Sequence, residues 1–570
     1  MRTALGAAGL PAVTDLVWEV PRQTEHGDYA TNVAMTLARE TRQAPRKIAE
    51  AIVRHFPALP EVDRLEVAGP GFVNVFLSHA WCASALREVL AAGPAYGRGD
   101  RHRGQRARLE FVSANPTGPL VIVNARAAAV GDALAHLLRA QGAEVTTEYY
   151  VNDSGNQFEA LARSFRARVL QQLGVDEPLP DSGYPGEYLV DLAKQYLAEH
   201  PAVRRDRTAQ AQAQAADPQA LARLGRWAVD RIVDGQRRVL ADYGVAFDVW
   251  TSEQGDVRDA GLPAQVIEEL RKRHLTYEAL EGESDDRAPA RPPRAQPPRA
   301  DAPALWFRAS QYGDEKDRVL RKSSGEPTYF AVDIAFHHAL KFADFDRVIT
   351  LIGPDHHGYL ARMRAALQAL GHPPEAFEIL IIQLVTLLRD GEPVRMSKRR
   401  GEFVLMEELL EEVGRDAARF TFLMRRHDSP LDFDLAVATR QSADNPVYYV
   451  QYAHARVRSL FRQAAEQGMA APPWSEVILA RLLLPEEQQI IKHLAQYPEL
   501  VASAARALEP HRIAYWLYEL AGLFHPYYKN HRVLQPDHEL ALARLALCAG
   551  VGRVVANGLA LLGVSAPESM

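Results

Sequence analysis

The 570-residue sequence predicts an α/β chain that ends in an all-α part. Three observations predict it. Between Leu109 and Val151 a strand-like run, a Pro/Gly turn, a helical pattern and a second strand follow one another, which is a βαβ unit. Val348 to Ile352 is a further apolar run, and it ends in the polar turn Gly353 to Gly358. From about Gly414 the periodicity reads as helical to the end of the chain.

The elements follow in order. Residues 1 to about 90 read as a small α/β domain, with a helix over Ile48–Phe56 and strand, turn, strand over Arg64–Phe76 around Gly69-Pro70-Gly71. The core starts near Arg106, and Leu109–Val112 is its first strand. The turn Asn115-Pro116-Thr117-Gly118-Pro119 leads to a helix from about Ala125 to Gln141, stopped by Gly142. Its N-terminus is a natural anion site. Strand Val145–Val151 ends in the polar cluster Asn152 to Asn156. Helical patterns run over Phe158–Leu173 and Leu189–Tyr243, and the Ala/Gln-rich Ala209–Ala216 reads as solvated helix. The Pro/Arg-rich stretch over about 281–303 is a linker or hairpin tip, and the core resumes at Leu305-Trp306-Phe307.

Length makes this several domains. No apolar run approaches the ~20 residues that span a bilayer, and Met1–Val20 has no basic region before an apolar core. Cys82 and Cys548 are the only cysteines, too few for a disulfide framework or a Cys-based zinc site. A cytoplasmic location is expected. Sixty-six basic and 72 acidic residues leave a net charge of -6, which argues against a nonspecific DNA binder but permits a local basic face for RNA.

The residues of the first βαβ unit say more than their pattern. Ser113 to Gly118, Asn124 to Arg126, Gly131-Asp132 and Tyr149 to Gln157 resemble the first catalytic motif of the arginyl-tRNA synthetases, a class I aminoacyl-tRNA synthetase family. Val121 and Val123 stand where that family's "HIGH" element has histidine and glycine. Arg395-Met396-Ser397-Lys398 resembles the "KMSK" element. Glu25 to Asn32 and Ala68 to Asn74 resemble the N-terminal additional domain, and Asn445 to Arg456 resembles the entry to the anticodon-binding domain.

The resemblance implies a class I Rossmann-like catalytic domain over 105–400 with a helical insertion at about 158–250. It implies an additional domain over 1–95 touching the tRNA elbow, a stem-contact region over 401–440, and an all-α anticodon-binding domain over 441–570. The implied reaction joins L-arginine to tRNA(Arg) through an arginyl-adenylate. ATP, Mg²⁺ arriving with ATP, arginine and tRNA(Arg) are the expected partners, with no DNA, no membrane and a monomeric chain. A silent tRNA-binding paralogue, or one activating arginine for another acceptor, stays open because of Val121 and Val123.

Site residues follow from both lines of reading. Tyr329 and Asp333 lie four apart, so a helix start puts a carboxylate and a ring on one face, suited to a guanidinium. By resemblance these two read the arginine side chain, and Glu110, Ser113 and Asn115 lie near its amino group. The turn with Thr117 and Gly118, and the helix start at Asn124, offer donors for ATP phosphates. Arg126 is a candidate for part of the phosphate charge that a histidine at 121 would meet. By resemblance Gly353, Asp355 and His356 form the nucleotide-side turn, Met396, Ser397 and Lys398 bind ATP, and Lys398 holds the leaving pyrophosphate. Catalytic weight falls on Lys398 and Asn124. The cluster His337, His338, Asp355, His356, His357 fits no zinc spacing. Tyr448, Tyr449, Tyr452 and Arg456 mix rings and charge as an RNA face does, though tyrosines packing a helical bundle read equally well.

Overall fold

The computed structural model describes residues 1–21, 23–205, 218–280, 302–354, 358–394, 404–469 and 474–570. Its centre is an all-parallel sheet of five strands. Their order is Phe377–Ile381, Arg347–Ile352, Arg106–Glu110, Glu144–Val151, Val249–Ser252. The first strand in sequence is the middle one in space. Successive strands depart to one side of it and later ones to the other, so the order reverses between Arg106–Glu110 and Arg347–Ile352. In an open parallel sheet the crevice beyond the C-terminal strand ends at that point is where ligands bind.

The crossover helix is Ile122–Ala140, longer at its start than the sequence pattern implies. It lies close over the sheet because Gly131 has no side chain. A β-carbon there would run into the ring of Phe111, which packs against Phe247 with centroids 4.4 Å apart. Strand Arg106–Glu110 ends two residues earlier than expected, because Val112 and Ser113 turn to φ 67° and 37°. The expected Leu189–Tyr243 helix is interrupted. Tyr188–Glu199 and Pro218–Asp242 are separate helices, and Ala209–Ala216 lies outside the described residues. Val249–Ser252, counted as the end of the insertion, is the fifth strand of the core sheet.

Leu305-Trp306-Phe307 lies on the middle strand of a small antiparallel sheet, between Thr276–Ala279 and Arg318–Arg321. The reading of an all-helical chain from Gly414 needs one correction. Leu431–Asp434 is a strand, parallel to Val385–Arg389, and its two buried residues, Leu431 and Phe433, are too short a run to show a period. Beyond it the helices Pro446–Glu466, Pro485–Ala507, His511–Asn530 and His538–Leu561 form the C-terminal bundle. The N-terminal unit has its own core of Val33, Leu37, Ile48, Ile52 and Val73. Helix His79–Ala92 leaves that core and buries Cys82, Leu86 and Val89 in the main one. No helix among the described residues is long and apolar enough to cross a membrane.

One side chain ties three of these parts together. Arg419, fully buried, pairs with Asp132 of the crossover helix. It also donates to the carbonyls of Leu562 (3.1 Å), at the end of the bundle, and Tyr243 (3.3 Å), at the end of the insertion. Removing one partner of a buried pair strands the other's charge. Arg419→Leu is therefore expected to cost about 3–5 kcal/mol, read as a lower urea midpoint. An unchanged midpoint would show that the junction does not depend on this pair.

Candidate active site

The site grows from the end of the central strand. The amide of Ser113 donates to the carbonyl of Phe111 (2.9 Å) across Val112, a γ-turn of the strained kind in a β-branched residue. This turn throws the Ser113 hydroxyl back over the strand end. It donates to Glu110 Oε1 (2.8 Å) and accepts from the amide of Tyr150 (3.1 Å), a ladder donor that the broken strand leaves open.

Glu110 is largely buried and its other oxygen takes the ammonium of Lys341. Lys341 has no solvent exposure and also reaches Thr350 Oγ1 (3.2 Å) and His337 Nε2 (3.3 Å). Helix Tyr329–Ala335 continues as a π-helical turn, Phe336–Lys341, and this local widening places His337 and Lys341. Burial, then the Lys341 charge, hold His337 well below its ordinary range, so it is neutral. Its Nδ1 donates to the carbonyl of Asp333 (2.8 Å).

Asp333 differs from the other acids. Glu110 has Lys341, and the buried Glu253 has Arg258 (2.7 Å) and the hydroxyl of Tyr150 (2.9 Å). Asp333 has no ion-pair partner among the described residues. Burial, then the negative charge of Glu253, push its carboxyl up to about 7, with Arg362 opposing. Burial, then the Asp333 charge, raise the Tyr359 phenol far above its usual range. The cleft thus holds one carboxyl with no ion pair of its own among the described residues, on which Arg362 and Lys341 act only at a distance. A cationic ligand would supply that pair.

Glu110, Ser113, Asn115, Asn124, Asp333 and Gly353, all singled out in the sequence, line one cavity of about 470 Å³ between the two central strands. Val123 lines it too. Asn124 has a task the sequence did not show. Its side-chain oxygen accepts from the amide of Val121 (2.9 Å), closing the helix N-terminus. Val121 forms an antiparallel bridge with Leu405, and Met406 donates to the carbonyl of Leu120 (2.9 Å). The helix start is thereby knitted to the segment that follows residue 403. Thr117 and Gly118 sit on the adjoining turn, outside the cavity lining.

Two readings change. Arg126 is not available to phosphate. It is fully buried and donates to the carbonyls of Gln383 (2.9 Å), Leu384 (3.4 Å), Arg426 (2.9 Å) and Ser429 (2.8 Å). Tyr329 shares the helix of Asp333, but it is exposed, does not line the cavity, and sets its hydroxyl over Gly155. The rings that line the cavity with Asp333 are Tyr150, Phe336 and Tyr359. Tyr448, Tyr449, Tyr452 and Arg456 lie on helix Pro446–Glu466, half-buried. The Arg456 guanidinium sits 4.4 Å from the Tyr452 ring centre, and Tyr449 packs on His525 (4.5 Å). Asp355, His356, His357, Arg395, Met396, Ser397, Lys398, Arg399, Arg400 and Gly401 lie outside the described residues. So does nearly all of the stretch 281–303, whose described end is residues 302 and 303.

A five-stranded parallel sheet, a helical insertion, a switch-point cavity and a C-terminal bundle define a class I aminoacyl-tRNA synthetase architecture. Residues 85–284 and 300–435 match the family model "tRNA synthetases class I (R), catalytic domain". Residues 1–77 match the arginyl tRNA synthetase N-terminal domain, and 450–570 the DALR anticodon binding domain. The arginine--tRNA ligase of Moorella thermoacetica is 45% identical over 576 residues, covering 100% of this chain and 96% of that one. That of Symbiobacterium thermophilum is 45% identical over 568 residues, covering 100% and 96%. The Thermus thermophilus arginyl-tRNA synthetase structure superposes with a TM-score of 0.74 at 24% identity, covering 100% of this chain and 98% of that one. The chain belongs to the arginyl-tRNA synthetase family.

Ser113→Ala removes the acceptor of the Tyr150 amide and a donor to Glu110 together. Leaving such a group unpaired typically costs about 1–3 kcal/mol. The Tyr150 amide is therefore expected to exchange with solvent deuterium at least about five times faster in the variant. Unaltered protection would mean that the γ-turn does not depend on Ser113.

Proposed function

We propose that the switch-point cavity binds L-arginine beside ATP, and that the chain attaches arginine to tRNA(Arg). The reaction is ATP + arginine + tRNA(Arg) → arginyl-tRNA(Arg) + AMP + pyrophosphate. The observation that carries this reading is Asp333, a cavity carboxyl with no ion pair among the described residues while its two acidic neighbours have theirs. A guanidinium fits it as a planar, permanently charged fork. Glu110, Ser113 and Asn115, which line the same cavity, stand for the α-amino group. The arginine carboxylate then faces the turn at Asn115–Gly118 and the positive end of helix Ile122–Ala140, where ATP phosphates are stabilised.

A carboxylate oxygen attacks the α-phosphorus and pyrophosphate leaves, carrying its charge toward Met396, Ser397 and Lys398. Gly353, Asp355 and His356 hold the nucleoside side. A terminal ribose hydroxyl of the tRNA next attacks the acyl carbon and AMP departs. The protein positions the groups and stabilises phosphate charge. Mg²⁺ arrives on ATP. Residues 1–95 meet the tRNA elbow, 401–440 its stem, and 441–570 its anticodon, with Tyr448, Tyr449, Tyr452 and Arg456 on that face. The chain works as a monomer in the cytoplasm and takes no DNA.

The pH dependence follows from Asp333. A carboxyl raised to about 7 is neutral below that pH and ionised above it. A guanidinium binds the ionised form. The KM for arginine is expected to fall as pH rises through about 7, with the KM for ATP changing less. Asp333→Asn should abolish that trend. It should raise the arginine KM by the worth of a charged hydrogen bond, about 1.5–3 kcal/mol, or roughly 10- to 150-fold. Steady-state arginylation of tRNA(Arg) at pH 6 to 8 measures both. An Asp333→Asn enzyme with an unchanged arginine KM would place the side-chain pocket elsewhere.

A further inference from the structure

The turn between Ser113 and the crossover helix is gripped from behind by the helical insertion. Gln236, on helix Pro218–Asp242, is 1% exposed. Its amide nitrogen donates to the carbonyls of Gly118 (2.9 Å) and Asn115 (3.4 Å). Its oxygen accepts from the Tyr149 hydroxyl (2.8 Å), so the amide cannot be turned round without facing oxygen to oxygen. The Tyr149 hydroxyl in turn takes the amide of Ala114 (3.1 Å) and lies 3.2 Å from its carbonyl. Tyr188, opening helix Tyr188–Glu199, donates its hydroxyl to the carbonyl of Thr117. Its ring lies where a β-carbon on Gly186 would be, so glycine at 186 is what makes room for it.

Every peptide bond described is trans. In a trans peptide the C=O and the following N–H point opposite ways. The carbonyls of Asn115 and Gly118 precede Pro116 and Pro119, which have no N–H. The carbonyls of Ala114 and Thr117 precede Asn115 and Gly118. The N–H groups of these two residues therefore point away from the Tyr149 and Tyr188 hydroxyls that lie against those carbonyls. The Asn115 N–H has no partner among the described residues, and Asn115 lines the cavity. The Gly118 N–H turns in toward the Asn115 carbonyl and closes the turn at Pro116 and Thr117.

We infer that Gln236 and Tyr188 are positioning residues for the nucleotide. By holding carbonyls from the insertion side, they fix the 114–118 turn with the Asn115 amide presented to ATP phosphate. The inference rests on the placement of ATP at this turn. Tyr188 holds Thr117, which lies outside the cavity lining, so its loss acts on ATP and spares arginine, a split that general loosening of the fold would not give. Gln236 also holds Asn115, so its loss reaches both ligands.

The experiment is pyrophosphate exchange by the full chain with tRNA(Arg) present, varying ATP and arginine separately. Tyr188→Phe removes one hydroxyl from a half-buried ring and Gln236→Glu replaces two donors with oxygen at the same shape. Asn124→Ala reports the ATP placement itself. Tyr188→Phe is expected to raise the ATP KM about three- to tenfold with the arginine KM within about twofold, and Gln236→Glu to raise the ATP KM more. If Asn124→Ala raises the ATP KM while Tyr188→Phe and Gln236→Glu do not, or if Tyr188→Phe moves both KM values in parallel, the positioning role is wrong. If Asn124→Ala also leaves the ATP KM unchanged, the nucleotide lies elsewhere and both readings fall.

Discussion

Two buried guanidiniums fix the crossover helix, and the site is built on that helix. Arg126, near its start, spends four hydrogen bonds on the carbonyls of residues 383, 384, 426 and 429. Arg419 grips its middle through Asp132 and binds two further segments through their carbonyls. A planar fork of five donors is the side chain that can satisfy several converging carbonyls at once. Burial lowers Arg126 only to about 10, so it stays charged at neutral pH. The helix N-terminus is therefore held still, with its positive end toward the cleft.

Charge inside the cleft is arranged around a deficit. Glu110, Glu253 and Asp333 converge, and Lys341 and Arg258 neutralise the first two. The third has no ion-pair partner among the described residues. Strain contributes at the same place. Val112 at φ 67° is a conformation that typically costs about 1–3 kcal/mol. In exchange the chain leaves the strand sharply, and Ser113 closes over Glu110. The Ser113 hydroxyl does two jobs, ordering the carboxylate and replacing a lost ladder bond.

The parts of this that were legible in the sequence were contiguous. Glu110, Ser113, Asn115 and Asn124 lie within one βαβ phrase, and Asp333 lies in a short helix whose spacing was readable. Lys341 was not legible, because its place depends on a π-helical turn that no periodicity marks. Glu253 was missed because it comes from a strand end over a hundred residues away from its hydrogen-bond partner Tyr150. Arg126 was misread for a geometric reason. Two residues along a helix from Asn124 is about 200° of rotation, so the neighbour of a cavity residue faces the opposite side. Val112 was counted as strand because its side chain favours strands; the fold overrides that preference to break the strand.

Val121 and Val123 stand in this cleft where the family's element has a histidine and a glycine. Val121 contributes backbone alone, bridged to Leu405 and capped by Asn124. Val123 sets two methyl groups against the cavity. The backbone donors of the turn and the helix end remain. The direct measurement is arginylation of tRNA(Arg) by the purified chain, beside a variant carrying Val121→His and Val123→Gly. The expected result is charging by the native chain, with the double substitution changing ATP KM and turnover by only a modest factor. No charging by the native chain, restored by the double substitution, would contradict it and identify a silent tRNA-binding relative.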